Sequence, residues 1–166
     1  MRKYFFNYIQ RFVAHEMYPY LVAFVGFLDM FFLIVPNDLL LVAGVLAAPK
    51  RWYKSAFIVT IGSTLGAWAL AFALLAGKSV ILKVPVLEHS HWWLDARIYF
   101  QHYGAWALFL GAAVPIPVQP FIAAAIFSNF QAAQIAFFVC MGRLVKYFSL
   151  GLIASRFPKL LVYLKI

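Results

Sequence analysis

Residues 27–48 read FLDMFFLIVPNDLLLVAGVLAA, a segment apolar enough for a membrane interior that nevertheless carries two aspartates and a proline. A helix needs about 20 apolar residues to cross about 30 Å of hydrocarbon. The apolar runs on either side of Pro36 are each shorter than that, and the proline would break one continuous helix. The segment therefore predicts a re-entrant hairpin over 20–48, which turns at 35–38 and leaves the membrane on the side it entered. Broken backbone at that depth needs protein or a water-filled cavity around it, so a polar cavity is expected.

The composition of the whole chain is that of an integral membrane protein. Its 166 residues are 66% hydrophobic, 19% aromatic and only 11% charged, which excludes an ordinary soluble domain. The net charge of +9 comes from basic residues that flank the apolar segments. Basic residues in those positions are orientation signals, so nucleic acid is not an expected partner.

Motifs for enzymatic or metal chemistry are missing from the sequence. It contains no nucleophile elbow, no His-Glu-x-x-His, no phosphate-binding loop and no dinucleotide fingerprint, so neither an enzyme nor a cofactor is expected. The segment Glu88-His-Ser-His91 offers two histidines without a third ligand nearby, which favours a wet interfacial loop over a metal site.

One membrane domain, residues 20–156, is flanked by two amphipathic segments. Apolar residues recur at helical spacing between basic ones in 1–19, which predicts an interfacial helix, and 157–166 is a shorter amphipathic tail. The predicted order inside the domain is hairpin 1 (20–48), a spanning helix (55–76), an interfacial link (77–103), hairpin 2 (104–130) and a second spanning helix (132–155).

The two halves of this domain match as an internal repeat. Pro36 aligns with Pro117 at a shift of 81 residues, and Gly62 aligns with Gly142 at a shift of 80. One spanning helix separates the hairpins, so the second hairpin enters from the opposite face. The predicted fold is therefore an all-α inverted repeat of two re-entrant hairpins, each followed by a transmembrane helix. In the first of these helices, the spacing of Gly62 and Gly66 predicts close helix packing.

Charge supports this topology with a cytoplasmic N-terminus. Lys50, Arg51 and Lys54 then lie on the same side as the basic residues of 1–19. If the first hairpin instead crossed the membrane, these three residues would lie on the opposite side. The positive-inside bias prefers the re-entrant arrangement.

Four ionisable residues fall inside the membrane segments: Asp29, Asp38, Arg143 and Lys146. Each costs at least about 2.5–3.5 kcal/mol at mid-bilayer unless it is paired or hydrated, so a functional role is the first hypothesis. Arg143 and Lys146 lie three residues apart on one helix face, an arrangement that suits a phosphate. The alternatives are a structural ion pair for the two cations and a helix cap for Asp38.

The residues resemble the DedA superfamily (VTT domain, formerly SNARE-associated), most closely its YqaA-like branch. The resemblance extends from about Val22 to Ser155. It rests on these motifs: Phe27-Leu-Asp29, Pro36-Asn-Asp38-Leu-Leu, Gly66, Pro115-Ile-Pro117, Phe121, and Gly142-Arg143 with Lys146-Tyr-Phe.

The resemblance implies two opposed re-entrant hairpins and the movement of lipids across bilayers. Undecaprenyl phosphate flipping is implied by some bacterial members and phospholipid scrambling by eukaryotic relatives, and dependence on the proton-motive force is attached to the bacterial members. Asp29 and Asp38 fall on acidic positions of the family pattern, and Arg143 and Lys146 fall on its late basic pair. The chain departs from the pattern in the hairpins: Ile34, Ala112, Val118 and Gln119 replace a proline, two arginines and a lysine.

The hypothesis is therefore a lipid transporter of the bacterial cytoplasmic (inner) membrane that moves a polyprenyl phosphate or a phospholipid. Transport coupled to protons and assembly into a homo-oligomer are both compatible with this hypothesis. Its predicted substrate-binding residues are Arg143, Lys146, Gln119 and Asn37. Its predicted proton-coupling residues are Asp29 and Asp38. Its predicted hairpin-tip residues are Pro36, Pro115, Pro117 and Pro120. The two alternatives are a proton-coupled small-ion antiporter and a non-transporting membrane scaffold.

Overall fold

The computed structural model describes residue 13 and residues 15–32, 37–81, 98 and 100–156, without the side chains of 78–81. Some of the predictions lie outside these residues. They concern residues 1–12, Pro36, most of the interfacial link with Glu88–His91, and residues 157–166. Within the described residues every regular element is helical, which confirms the all-α prediction. The helices are α1 (Tyr18–Phe32), α2 (Asn37–Ala47), α3 (Trp52–Ile81, preceded by a 3-10 turn, Pro49–Arg51), α4 (Trp106–Ala113), α5 (Gln119–Phe127) and α6 (Ala132–Arg156).

Two segments, Pro49–Gly77 and Ala132–Arg156, are long and apolar enough to cross a membrane. At about 1.5 Å per residue, each is longer than a hydrocarbon core of about 30 Å. The four other helices have 15, 11, 8 and 9 residues and are too short to span it. Helix α3 continues to Ile81, five residues into the segment predicted as an interfacial link. Residues 52–84 contain no proline that would break the helix earlier.

Helix α1 packs along α3 in the same direction. A Cβ atom on Gly66 would lie 2.7 Å from the carbonyl oxygen of Phe27, and one on Gly62 would overlap the carbonyl of Ala23. The contact advances along both helices together, so they run parallel. These two glycines let the backbones touch, which confirms the close packing predicted from their spacing.

Helix α2 folds back along α1. The Tyr18 hydroxyl donates a 3.1 Å hydrogen bond to the Leu40 carbonyl, and the Tyr18 ring packs against Gly44. Just beyond α2, Arg51 forms a 2.7 Å ion pair with Glu16. The chain therefore returns to the end of the molecule at which α1 began.

Helix α4 packs along α6 in the same parallel way. The rings of Trp106 and Phe138 lie 5.6 Å apart between centroids. A Cβ atom on Gly142 would overlap the carbonyl of Phe109 and would lie 2.8 Å from the Cβ atom of Ala112. A glycine in each long helix thus contacts a backbone carbonyl in the first helix of the hairpin that precedes it.

The second hairpin turns at residues 114–118, between α4 and α5, where the backbone is not helical. Helix α5 then begins with Pro120 in its first turn, where a missing N–H costs nothing. Beyond α5, the Phe130 ring packs edge-on against Phe100, at 5.1 Å between centroids. The chain after α5 therefore lies beside the chain before α4, so the second hairpin also begins and ends at the same end of the molecule.

The two long helices run antiparallel. Trp52, at the start of α3, packs on Phe148 near the end of α6, with ring centroids 5.8 Å apart. The buried apolar residues form two clusters. Cluster A joins mainly α4 and α5 to the later half of α3 and the earlier half of α6, and it includes Ala67 and Val139. Cluster B joins α1 and α2 to the other halves of the long helices, and it includes Val59 and Tyr147.

We expect Gly66→Val to destabilise the protein by about 1–3 kcal/mol or more, because the added side chain would meet the Phe27 backbone, which cannot move aside, as well as the Met30 side chain. Thermal unfolding of the purified protein in detergent measures the effect as a lower Tm. Leu65→Val is the matched control, since Leu65 is the neighbouring residue and is 48% exposed. An equal Tm for Gly66→Val and the unsubstituted protein would contradict the close contact between α1 and α3.

Candidate functional site

A polar layer lies between clusters A and B, at the middle of the long helices. In α3, Ser63 is one helical turn from Val59 of cluster B and from Ala67 of cluster A. In α6, Arg143 is one turn from Val139 of cluster A and from Tyr147 of cluster B. Ser63 is fully buried and Arg143 is only 6% exposed. The two side chains therefore occupy a level at which apolar packing is interrupted.

Tyr147 is the acceptor that holds this layer together. Its fully buried hydroxyl oxygen accepts a 2.7 Å hydrogen bond from Nη1 of Arg143. The same oxygen accepts a 3.2 Å hydrogen bond from Nδ2 of Asn37, which is 4% exposed. Arg143 and Tyr147 are one turn apart on α6, whereas Asn37 is the first residue described in α2. The phenol thus links the first hairpin to the second long helix.

The next residue of α2 reinforces that link with an ion pair. Oδ2 of Asp38 lies 2.7 Å from Nζ of Lys146, and the two side chains are 30% and 10% exposed. The ammonium also lies 5.9 Å from the centre of the Tyr147 ring, within the range of a cation–π interaction. Lys146 is therefore engaged by a carboxylate, and its charge is neutralised in this arrangement.

Gln119 links the second hairpin to α1. Its Nε2 donates a 3.2 Å hydrogen bond to the backbone carbonyl of Asp29. Gln119 is the first residue of α5, and Asp29 lies in the last turn of α1. Both residues are half-buried. The contact brings the second hairpin against the first near the polar layer.

Several buried polar atoms of this region have no hydrogen-bond partner among the described residues. They are Oδ1 of Asn37, Oγ of Ser63, Oγ1 of Thr64, Oε1 of Gln119 and Nε of Arg143. An unsatisfied buried polar group costs about 1–3 kcal/mol, so proteins rarely retain several of them in one region without a polar companion. The layer has the hydrogen-bonding capacity of a binding site.

The six predicted ligand and proton-coupling residues fall into two groups of contacts: four are linked through Tyr147 and the ion pair, and Gln119 contacts the backbone carbonyl of Asp29. The six residues are Asp29, Asn37, Asp38, Gln119, Arg143 and Lys146. Of the predicted tip prolines, Pro115 and Pro117 lie in the turn of the second hairpin. Pro120 lies in the first turn of α5.

Two members of the site, Tyr147 and Ser63, were not among the predicted site residues. Tyr147 follows Arg143 by four residues, the spacing at which side chains meet on a helix, and this spacing was the available signal. Ser63 lies between Gly62 and Gly66 in α3. The spacing of these glycines is explained by close helix packing alone, so the sequence gives no separate signal for Ser63. In the described part of the chain, no three metal-ligating residues group together.

Comparison with known proteins found a relative without a described function. The chain is 28% identical over 127 residues to an uncharacterized protein of Haemophilus influenzae, an alignment that covers 75% of this chain. The chain spans 62% of the length of that relative. No family model matches the sequence, and no solved structure matches it.

Tyr147→Phe should lower the stability by about 1–3 kcal/mol, because it leaves the buried donors of Arg143 and Asn37 without their acceptor. The same substitution should cost much less in an Arg143→Met background, where one of those donors is gone. Unfolding of the four proteins of this cycle in detergent measures the coupling. Tyr53→Phe, at a 58% exposed position, is the control. Equal costs in both backgrounds would contradict the role of Tyr147 as the acceptor for Arg143.

Asp38→Asn and Lys146→Gln should each destabilise the protein by roughly 1–3 kcal/mol, less than a fully buried pair because Asp38 is partly exposed. The double variant should recover part of that loss, since neither partner then leaves an isolated charge. The Glu16–Arg51 pair has the same 2.7 Å separation, but its side chains are 72% and 50% exposed. Glu16→Gln should therefore change stability by less than about 1 kcal/mol. Similar losses of stability at the two pairs would show that burial of the Asp38–Lys146 pair does not contribute to stability.

Proposed function

We propose that this chain is a lipid transporter of the DedA/VTT superfamily, YqaA-like, that moves a phosphate-containing lipid headgroup across the bacterial inner membrane through the polar layer. The observation that carries the proposal is the buried guanidinium of Arg143. It lies between two apolar clusters, it is bonded to Tyr147, and its Nε has no partner among the described residues. A permanent cation at that depth is costly and is the natural binding partner of a phosphate.

The proposed architecture is the inverted repeat of re-entrant hairpins. Phe27 contacts Gly66 as Phe109 contacts Gly142, and Met30 contacts Gly66 as Ala112 contacts Gly142. Both hairpin positions are displaced by 82 residues, close to the shift of 81 in the sequence repeat. In this packing Gly142 matches Gly66, 76 residues earlier, whereas the sequence alignment matches it with Gly62 at a shift of 80. Because α3 and α6 run antiparallel, equivalent packing in the two halves favours units of opposite orientation.

Helix lengths and charge support the re-entrant path. Helices α1 and α2, with 15 and 11 residues, reach about 22 Å and 16 Å, which is less than the bilayer core. The ion pair between Glu16 and Arg51 holds the two ends of the hairpin at one level. Arg156, at the end of α6, belongs to the same end of the molecule because α6 is antiparallel to α3. The positive-inside rule assigns this basic end to the cytoplasm.

The proposed mechanism uses the ion pair as a release step. The Asp38 carboxylate, which lies 2.7 Å from the ammonium of Lys146, competes with the headgroup phosphate for that ammonium. Asp38 and Asp29 are the proposed proton-coupling residues, and Asn37 and Gln119 assist with amide hydrogen bonds. The hydrocarbon tail remains in the bilayer while the headgroup crosses.

In proteoliposomes, Arg143→Ala should reduce transbilayer movement of a labelled headgroup about tenfold or more, the value of a charged hydrogen bond to the substrate. Headgroup accessibility to a membrane-impermeant reagent measures the movement, with labelled polyprenyl phosphate and phospholipid as separate substrates. Arg51→Ala is the matched control, because its guanidinium is exposed and lies near the end of the molecule.

Arg143→Lys, which retains the charge, should preserve more movement than Arg143→Ala, and folding of each variant is checked by its Tm. Movement at the unsubstituted rate in a folded Arg143→Ala/Lys146→Ala protein would remove both residues from the mechanism. The scaffold alternative makes a different prediction. There the charges serve only to pair with each other, so exchanging Asp38 and Lys146 would preserve the protein's cellular role without lipid movement.

A further inference from the structure

We propose that the basic end of the molecule binds the phosphodiester of an anionic phospholipid in a crevice where the Glu16 carboxylate now pairs with Arg51. Residues from the start of α1, the end of α2 and the start of α3 line this crevice, and Lys54 is one of them. The bound lipid is a stationary ligand and not the transported one, so the proposal goes beyond the proposed function. It requires only that this end of the molecule lies in a headgroup layer.

Four basic side chains are exposed at this end of the molecule: Lys50, Arg51, Lys54 and Arg156. The first three lie in the 3-10 turn that precedes α3 or in the first turn of α3 itself. Arg156 ends α6, which reaches the same end because Gly151 packs on the ring of Trp52. Among the described residues, Glu16 is the acid at this end. Four cations against one carboxylate leave a surplus of positive charge.

Aromatic side chains around the same end indicate a membrane–water interface. Tyr20, in the first turn of α1, is 49% exposed, and Tyr53, in the first turn of α3, is 58% exposed. Such amphipathic rings concentrate at the headgroup level of a bilayer. Cations at that level attract anionic lipids, by about fivefold in affinity for each Lys or Arg. An anionic phospholipid therefore complements the charge of this end.

The ion pair at the crevice shows that an anion is accepted there, and the pair is weak enough to be exchanged. Oε1 of Glu16 lies 2.7 Å from Nη2 of Arg51, but the two side chains are 72% and 50% exposed. An ion pair so open to water contributes little to stability. A phosphate presents the guanidinium with two oxygens in the bidentate geometry that arginine prefers. A lipid phosphate therefore competes with the carboxylate for this position.

Lys54 adds a second cation to the same crevice. Its exposed ammonium forms no ion pair within the described part of the chain. Arg51 and Lys54 are three residues apart, a spacing at which side chains on a helical turn are neighbours. The two non-bridging oxygens of one phosphodiester therefore suit both cations at once. The carboxylate of Glu16, in contrast, engages Arg51 and not Lys54.

The space inside the crevice determines how much of a headgroup enters it. Its volume is about 20 Å³, enough for one atom of the size of a water oxygen. Because Glu16 is part of the wall, the space becomes larger when its side chain moves away. One phosphate oxygen then enters between the ends of the first hairpin, and the rest of the headgroup stays at the surface.

The test is equilibrium binding of matched short-chain lipids to the full chain in a neutral detergent. Dioctanoyl phosphatidylglycerol carries a net negative charge, whereas dioctanoyl phosphatidylcholine has the same acyl chains and a phosphodiester but no net charge. The unsubstituted protein should bind the phosphatidylglycerol at least about tenfold more tightly, since two cations each contribute about fivefold. Equal affinity for the two lipids would overturn the proposal.

Glycerophosphoglycerol, the same headgroup without acyl chains, is the third ligand. It should bind at least about tenfold more weakly than the lipid, because the bilayer or detergent no longer holds it at the depth of the crevice. Binding as tight as that of phosphatidylglycerol would assign the crevice to a soluble phosphodiester and overturn the lipid as its ligand.

Lys54→Gln should reduce the affinity for phosphatidylglycerol about fivefold. Lys50→Gln is the matched control, because Lys50 is an exposed lysine of the same end that does not line the crevice. It should reduce the affinity less than about twofold, since salt at about 0.15 M screens charges that do not touch the phosphate. Equal reductions in the two variants would reveal a diffuse attraction to the charged surface and would overturn the crevice as the site.

Glu16→Gln should raise the affinity about fivefold, because it removes the competing carboxylate and keeps both cations. A role confined to holding the ends of the first hairpin together predicts no gain in affinity. An unchanged or lower affinity in a folded Glu16→Gln protein would therefore overturn the exchange of carboxylate for phosphate.

The binding assay is independent of transport. Arg51→Ala should lower the affinity for phosphatidylglycerol as Lys54→Gln does, yet it should leave lipid movement unchanged, because the bound lipid is not on the transport path. Lipid movement without a preference for phosphatidylglycerol refutes the inference and leaves the proposed function intact. A preference without lipid movement supports the inference and refutes the proposed function.

Discussion

The contact between glycine and backbone carbonyl is the constraint on which the rest of the molecule depends. Gly66 and Gly142 let the first helix of each hairpin lie directly on a long helix. That contact fixes the position of each hairpin along its long helix, and in the second hairpin it thereby positions the non-helical turn at residues 114–118. A turn with unpaired backbone groups is tolerable in an apolar surrounding only when protein covers it. The glycine contacts therefore determine both the packing of the hairpins and the position of the polar layer.

Within the described residues, the polar layer contains both paired and unpaired polar groups. Arg143, Asn37 and Tyr147 satisfy one another in part, and the ion pair of Asp38 with Lys146 adds a second link between the same two helices. A layer built only for stability would leave few buried polar atoms unpaired, because each costs about as much as a hydrogen bond contributes. The oxygens of Ser63, Asn37 and Gln119, which lack a partner in the described part of the chain, therefore add a cost to folding that the rest of the layer offsets.

Much of the fold could be predicted from the sequence, because Pro36 and the short apolar runs around it exclude a spanning helix by length alone. The all-helical architecture and the close packing at Gly62 and Gly66 followed from the same kind of argument. The register between the helices could not be predicted from the sequence. Two glycines four residues apart present the same helix face, so spacing alone does not show which of them is the counterpart of Gly142.

For the candidate site, the sequence indicated the charged residues but not their partners. The charged residues stood out because each is expensive inside a membrane, but the partner of each depends on helix register. Lys146 was expected to face a phosphate, and it contacts Asp38 in this structure. Tyr147 and Ser63 are neutral residues of long apolar helices, where composition does not separate a hydrogen-bonding role from simple packing. Their roles became visible only through burial and hydrogen-bond geometry.

The antiparallel course of α3 and α6 has a consequence for the electric potential inside the molecule. A long helix carries about half a positive charge at its N-terminus and half a negative charge at its C-terminus. Side by side and reversed, the two macrodipoles largely cancel, so the backbone of this pair contributes little net field along the helix axes. The potential at mid-depth is then governed by a few side chains, and a single proton gained or lost at that level alters it substantially.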